Sequence, residues 1–253
     1  MSRTAVGIID AILFDMNGTL RRREPHEPTQ HAAITRMLDL LGMDDASEAF
    51  WDELAHRQKL YGRWAQHHMI QLTEEEIWTS WILPEFSPEK VGPVAAELTL
   101  AWNERKGRIV PRLGAEQTIV ELRRRGYRLG VISNSWSTLD IPRSMETFGW
   151  KEYFEVVILS SEIKSRKPAP EPFLEAARAL GVIPGYCAYI GNRVSKDLIG
   201  CKRAGFALGI IFEPSGDLRP NEQGPTIQPD KIIHSLQDLL EIFPQRTPMG
   251  DEE

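Results

Sequence analysis

Apolar residues follow two rhythms along this chain, and the switch between them divides it. Ile12, Leu13 and Phe14 form an unbroken apolar run ahead of Asp15, the pattern of a strand buried on both faces. Gly18 then permits a tight turn, so Asp15 is expected to stand exposed at the strand's C-terminal end, where open α/β sheets place their sites. Helical spacing takes over next. Ile34, Met37, Leu38 and Leu41 recur across 28–42 with Gly42 as a stop. Phe50, Trp51, Leu54, Leu60 and Trp64 continue it across 46–69. Thr73 and Glu76 have the form of a capping box ahead of Ile77, Trp78 and Trp81. Pro84 and Pro88 break the chain, and a fourth helical stretch is predicted over 89–106. No strand pattern occurs between 21 and 107, so that interval reads as an all-helical lobe.

From Arg108 the rhythm alternates. Helices are predicted at 115–126, 138–149, 170–181 and 196–205, and strands at 128–133, 155–159, 186–191 and 207–212. Strands and helices in this alternation indicate βαβ crossovers, hence a doubly wound parallel sheet of the Rossmann-like kind. A final amphipathic helix is expected at 230–243. The resulting division is an α/β core from 1–20 and 108–245, a helical lobe from 21–107 and a flexible polar tail from 246–253.

Composition narrows the classes. With 42% hydrophobic and 26% charged residues the 253-residue chain has the balance of a soluble globular protein. A net charge of −6 gives no electrostatic reason to expect nucleic acid or an anionic membrane as partner. No apolar stretch approaches the roughly 18 residues of a membrane span, and no leader pattern opens the chain, so a cytoplasmic protein is expected. Cys187 and Cys201 lie in apolar segments and read as reduced packing residues. His31, His56, His67 and His68 lack a partner at metal-ligand spacing, which argues against zinc. Five of the seven tryptophans, Trp51, Trp64, Trp78, Trp81 and Trp102, fall in the lobe; they read mainly as its core, with one or two facing a cleft.

Four short segments carry candidate chemistry: Asp15–Met16–Asn17–Gly18–Thr19, Ser133–Asn134, Lys167 before Pro168, and Gly191–Asn192 with Asp197 five residues after Asn192. Each falls at or after the end of a predicted strand. In this order they resemble the four motifs of the haloacid dehalogenase-like hydrolases, across roughly residues 8–20 and 108–243. The lobe lies where that family inserts a helical cap.

The resemblance implies Asp15 as nucleophile, Ser133 and Lys167 as ligands of the transferring group, and a Mg²⁺ site drawn from Asp15, the carbonyl of Asn17, Asn192 and Asp197. It further implies a small phosphorylated substrate. Thr19, Asn134 and Arg21 are candidate substrate contacts, although the Arg21–Arg22–Arg23 run also fits a solvated linker. Two positions depart from the pattern. Asn17 stands where the family has its general acid–base aspartate, and Asn192 where it has a carboxylate. An amide donates a hydrogen bond but transfers no proton, and it ligates Mg²⁺ without charge. Three readings stay open: a phosphatase-type hydrolase with weakened acid–base and metal functions, a 2-haloacid dehalogenase-like hydrolase, and a catalytically silent binding protein.

Overall fold

The structure, a computed structural model, describes residues 9–214 and 227–246. The predicted tail, Arg246 apart, lies outside the described residues, as do residues 1–8. Eight strands and eleven α-helices occur among the described residues: β1 (Ala11–Phe14), β2 (Arg21–Glu24), α1 (Glu27–Leu41), α2 (Glu48–His68), α3 (Glu74–Ile77), α4 (Pro88–Val91), α5 (Ala95–Glu104), β3 (Arg108–Pro111), α6 (Ala115–Arg124), β4 (Arg128–Ser133), α7 (Asp140–Thr147), β5 (Val156–Leu159), α8 (Ser160–Ile163), α9 (Glu171–Ala179), β6 (Cys187–Gly191), α10 (Ile199–Arg203), β7 (Leu208–Phe212), β8 (Lys231–Ile233) and α11 (Leu239–Ile242). Six strands pair in the order β5-β4-β1-β6-β7-β8, each neighbouring pair parallel.

Strand side chains alternate between faces, and the core divides accordingly. Ile12, Phe14, Leu129, Val131, Ala188 and Ile190 join Ile119 and Leu122 of α6 and Ile141 and Met145 of α7 on one face. Ala11, Leu13, Cys187 and Tyr189 join Phe173 and Ala176 of α9 and Cys201 of α10 on the other. Both cysteines are free and buried; burial pushes each thiol up to about 12, which keeps them unreactive.

The lobe has its own apolar cluster. Trp78 and Trp102 are fully buried there with Leu54, Ile77, Leu98 and others, and Trp51, Trp64 and Trp81 pack half-buried against it. The Thr73–Glu76 capping box forms as expected, and Gly42 caps α1 with a φ of 58°.

Three expectations are corrected. The interval 21–107 is not free of strand: β2 pairs antiparallel with β3. Its residues, Arg-Arg-Arg-Glu, have no apolar alternation, so main-chain pairing alone reveals them. The stretch 89–106 is broken into α4, a 3₁₀ turn at Gly92–Val94 and α5, because Pro93 cannot donate to a continuous helix. The predicted helix at 230–243 is instead β8, a 3₁₀ turn at Leu236–Asp238 and α11. Ile233 pairs with Phe212 at the sheet edge, and Ser235 caps the turn after it.

Candidate active site

Beyond the pair Phe14–Val131 and the pair Phe14–Ile190, β1, β4 and β6 deliver their next residues to one edge of the sheet. Asp15 enters there with its backbone N–H donating to Ile190 O at 2.8 Å. The sequence expectation of an exposed carboxylate is corrected: Asp15 is buried, only 6% exposed, because the Gly18 turn and the Lys167 loop pack around it. The turn that follows closes on itself: Gly18 N–H donates to Arg21 O, and Arg21 N–H to Met16 O. Gly18 holds a φ of 92°, a conformation side chains disfavour. A Cβ there would also collide with the Asn192 amide, which lies directly over it.

Lys167 ties the four motifs together. Its Nζ lies 2.8 Å from Asp15 Oδ1 and 2.7 Å from Asp197 Oδ1, and also meets Ile132 O at 2.9 Å and the Tyr189 hydroxyl at 2.6 Å. Burial pulls the ammonium toward neutrality, but Asp15 and Asp197 outweigh it and its pKa stands above the ordinary value. Burial drives Asp15 the other way, up to about 6, with Asp197 adding to the rise and Lys167 pulling against it. Asn134 fixes the lysine loop: its amide donates to Lys167 O at 3.0 Å and accepts from Lys167 N–H at 2.9 Å. Tyr189, which sequence reading passed over as a core strand residue, is held well above its usual pKa by burial and by the two carboxylates. It remains a hydroxyl that can donate.

Ser133 ends β4 with its Oγ buried and without a hydrogen-bond partner among the described residues. Orphan buried hydroxyls are rare because each costs about 1–3 kcal/mol, and this one directly follows Ile132, whose carbonyl accepts from Lys167 Nζ. Thr19 is buried, its hydroxyl 3.4 Å from Asp15 Oδ2.

Arg21 is neither a solvated linker nor a free contact. It has no exposed surface, and its guanidinium pairs with Asp140 at 2.8 Å, donates to Ser144, and reaches Asn17 Oδ1 from Nε at 2.9 Å. Because Nε–H can only donate, the Asn17 amide oxygen faces Arg21 and its NH₂ group points elsewhere. Arg22 and Arg23 line the cleft beside it. A cavity of about 420 Å³ opens over Asn17 and Gly18, bounded by Arg21, Arg22, Arg23, Lys106, Arg112, Asn134 and Trp136, among others. Trp136 closes it from the lobe side, stacked at 9° to Trp78 and at 29° to Tyr61.

The donors that would suit a divalent cation are hard oxygens: the Asp15 carboxylate, the Asn17 carbonyl and the Asn192 amide, with Asn192 already seated against the Gly18 turn. This set fits Mg²⁺ in kind but carries a single negative charge. Asp197, expected as a ligand, is engaged on every side. Oδ1 meets Lys167 and Tyr189, and Oδ2 accepts from the Asn192 and Arg193 backbone N–H groups at 3.1 and 2.9 Å. Three N–H donors hold the carboxylate, and the Tyr189 hydroxyl beside Oδ1 divides its single proton between Asp197 and the Ile132 carbonyl at 3.0 Å. No group of three His, Cys, Asp or Glu side chains gathers among the described residues.

A doubly wound parallel sheet carrying an Asp–Lys–Asp cluster at its strand ends is the frame of one class of protein. The chain belongs to the haloacid dehalogenase-like hydrolases, whose family profile matches residues 9–205. It is 29% identical over 239 residues to a protein of Methanopyrus kandleri named glyceraldehyde 3-phosphate phosphatase, covering 93% of this chain and 97% of that one. Among solved structures, a 2-haloacid dehalogenase from Pseudomonas syringae superposes with a TM-score of 0.67 at 23% identity, covering 92% and 97% of the two chains. A HAD phosphatase from Thermococcus onnurineus gives 0.59 at 24%, covering 94% and 99%. Both likenesses speak for the fold. No helix among the described residues is long and apolar enough to cross a membrane.

Proposed function

We propose that this hydrolase is a phosphatase acting on a small phosphorylated metabolite through Asp15. The carrying observation is the ammonium of Lys167 bound to Asp15 and to the carbonyl of Ile132, the residue before the partnerless Ser133, with the next turn, Asn17 and Gly18, opening into a cavity lined by cations. An Asp15 oxygen attacks phosphorus, the bond to the leaving oxygen breaks, and an aspartyl-phosphate forms. Water then attacks that phosphorus, the bond from phosphorus to the Asp15 oxygen breaks, the water's proton passes to the departing phosphate or to solvent, and the carboxylate is restored. Ser133 donates to a phosphoryl oxygen, and Lys167 offsets charge on Asp15 and the phosphoryl group together. Thr19 and Asn134 border this group, Asn134 chiefly by holding Lys167. Bound Mg²⁺, held by Asp15, Asn17 and Asn192, would neutralise phosphoryl charge during transfer. Asp197 acts on Lys167 rather than on the ion.

Asn17 donates a hydrogen bond to the leaving oxygen but no proton. Proton transfer is worth about 10²–10⁴-fold, so acyl and aryl phosphates, whose leaving groups depart unprotonated, are the favoured substrates and alkyl esters turn over correspondingly slowly. The test is hydrolysis of acetyl phosphate and p-nitrophenyl phosphate with and without Mg²⁺. Magnesium-stimulated turnover that disappears in Asp15→Asn supports the reading; no turnover of any phosphate, or turnover indifferent to Asp15, overturns it. Asn17 also favours a second reading, a dehalogenase, since halide leaves without a proton. Halide release from 2-chloropropionate in place of phosphate release would establish that reading.

A further inference from the structure

The cleft has more positive charge than one phosphoryl group requires, and the excess lies away from Asp15. Around the ribbon formed by β2 and β3, the carboxylates are already committed: Glu24 pairs with Arg22 and Arg108, and Asp140 pairs with Arg21. Arg23, Lys106 and Arg112 also line the cavity, yet none has a carboxylate within ion-pair distance among the described residues. Arg23 donates to Gly107 O at 2.7 Å, and Lys106 to the Gln58 side chain at 3.3 Å. Arg112 lies 5.6 Å from the Phe212 ring centroid, and its Nε is buried with no partner among the described residues. Burial holds the Arg23 and Arg112 guanidinium pKa values below their usual level, with Arg21 and Arg22 adding to the fall and the carboxylates of Asp140 and Glu104, near Arg23, and Glu213, near Arg112, opposing it without reversing it. Such cations gain by meeting an anion, and a guanidinium is shaped to bind carboxylate or phosphate in bidentate fashion.

The reaction end of the same cavity is marked by Asn17, Gly18 and Asn134. A volume of about 420 Å³ is in the range of small-molecule sites. Resting on the phosphatase reading above, we propose that Arg23, Lys106 and Arg112 form a second anion site, and that the substrate is a small phosphate compound bearing a second anionic group, carboxylate or phosphate, at the end remote from the phosphorus under attack. The three residues come from β2, from the turn after α5 and from the turn after β3. The second anion is therefore held by both strands' connections between lobe and core, not by the strand-end cluster.

Binding of non-hydrolysable probes in metal-free buffer tests this by calorimetry, without requiring turnover. Methylphosphonate carries one anionic group, phosphonoacetate adds a carboxylate, and methylenediphosphonate adds a second phosphonate. Charge-assisted hydrogen bonds of about 1.5–3 kcal/mol convert to about a 10–100-fold advantage for at least one of the two larger probes over methylphosphonate. Whichever wins identifies the second group. In Arg23→Gln and Arg112→Gln that ratio should collapse toward one. Lys106→Gln, at an exposed position, should lower it several-fold and serves if an arginine variant fails to fold. Equal affinity for all three probes, or an advantage that survives in these variants, overturns the second site. Tight binding of a two-anion probe by a protein that hydrolyses no phosphate would remove the catalytic reading and leave the second site standing.

Discussion

The strand-end cluster and the β2–β3 ribbon are joined by the turn from Asp15 to Arg21 but are built on opposite principles. At the cluster, Asp15, Lys167, Tyr189 and Asp197 are buried and mutually bonded, so each group's position and charge are fixed by the others. Along the ribbon, Arg22, Arg23 and Lys106 are exposed or half-buried, and the cations outnumber their acidic partners. The first arrangement suits preorganised chemistry, where groups must not relax. The second suits recognition, because unpaired cations are satisfied only when a ligand arrives. On this proposal, chemistry and selectivity fall to separate residues.

Breaking the cluster has the largest expected effects. Asp15→Asn should reduce phosphate turnover to background while the protein stays folded, as seen in an unchanged far-UV spectrum. Lys167→Met leaves Asp15 and Asp197 buried without their shared cation; removing one partner of a buried pair costs about 3–5 kcal/mol, readable in urea unfolding, with loss of activity. Trp78→Ala should cost a comparable amount, about 3–5 kcal/mol, but through the lobe. If the lobe core and the strand-end cluster are independent, the Asp15 carboxyl titration should not move in that variant.

Smaller effects sharpen the division. Asn17→Asp restores the family's residue, but its carboxylate would face Arg21 Nε, which now lies 2.9 Å from the amide oxygen. The guanidinium would hold the new group ionised, so alkyl phosphate turnover should gain less than the roughly 10²–10⁴-fold of a competent general acid. Kinetics of the variant across pH check this. In metal-free protein the Asp15 carboxyl should titrate near 6 by ¹³C NMR. Its pKa is raised on folding, so its contribution to stability is present below the unfolded value and is lost as pH climbs toward 6. Asp197→Asn should lower the midpoint, since Asp197 contributes to the rise.

What the sequence made legible follows the same division. Strand β4 falls at the predicted 128–133 because an apolar run buried on both faces has few alternative readings. Asp15, Ser133 and Asn192 are legible as motif positions at the ends of β1, β4 and β6, and Lys167 as the lysine before Pro168 in the loop after α8. Tyr189 was missed because an aromatic in a strand reads as packing, and only its contact with Lys167 reveals a polar role. The ribbon was missed because four charged residues have no apolar period to betray a strand. Arg21 read as linker or substrate contact because local sequence cannot show Asp140, 119 residues away, closing over it. The final segment misled because Ile233, Leu236 and Leu239 recur at helical spacing, yet are buried from a strand, a 3₁₀ turn and a helix in succession.

The account stands most directly on the identity of the group that accepts phosphorus. Rapid acid quench of the protein turning over acetyl phosphate, followed by peptide mass mapping, should find one added phosphoryl group on the peptide containing Asp15 and none in Asp15→Asn. Phosphate release with that adduct absent, or with the label on any other residue, would contradict it.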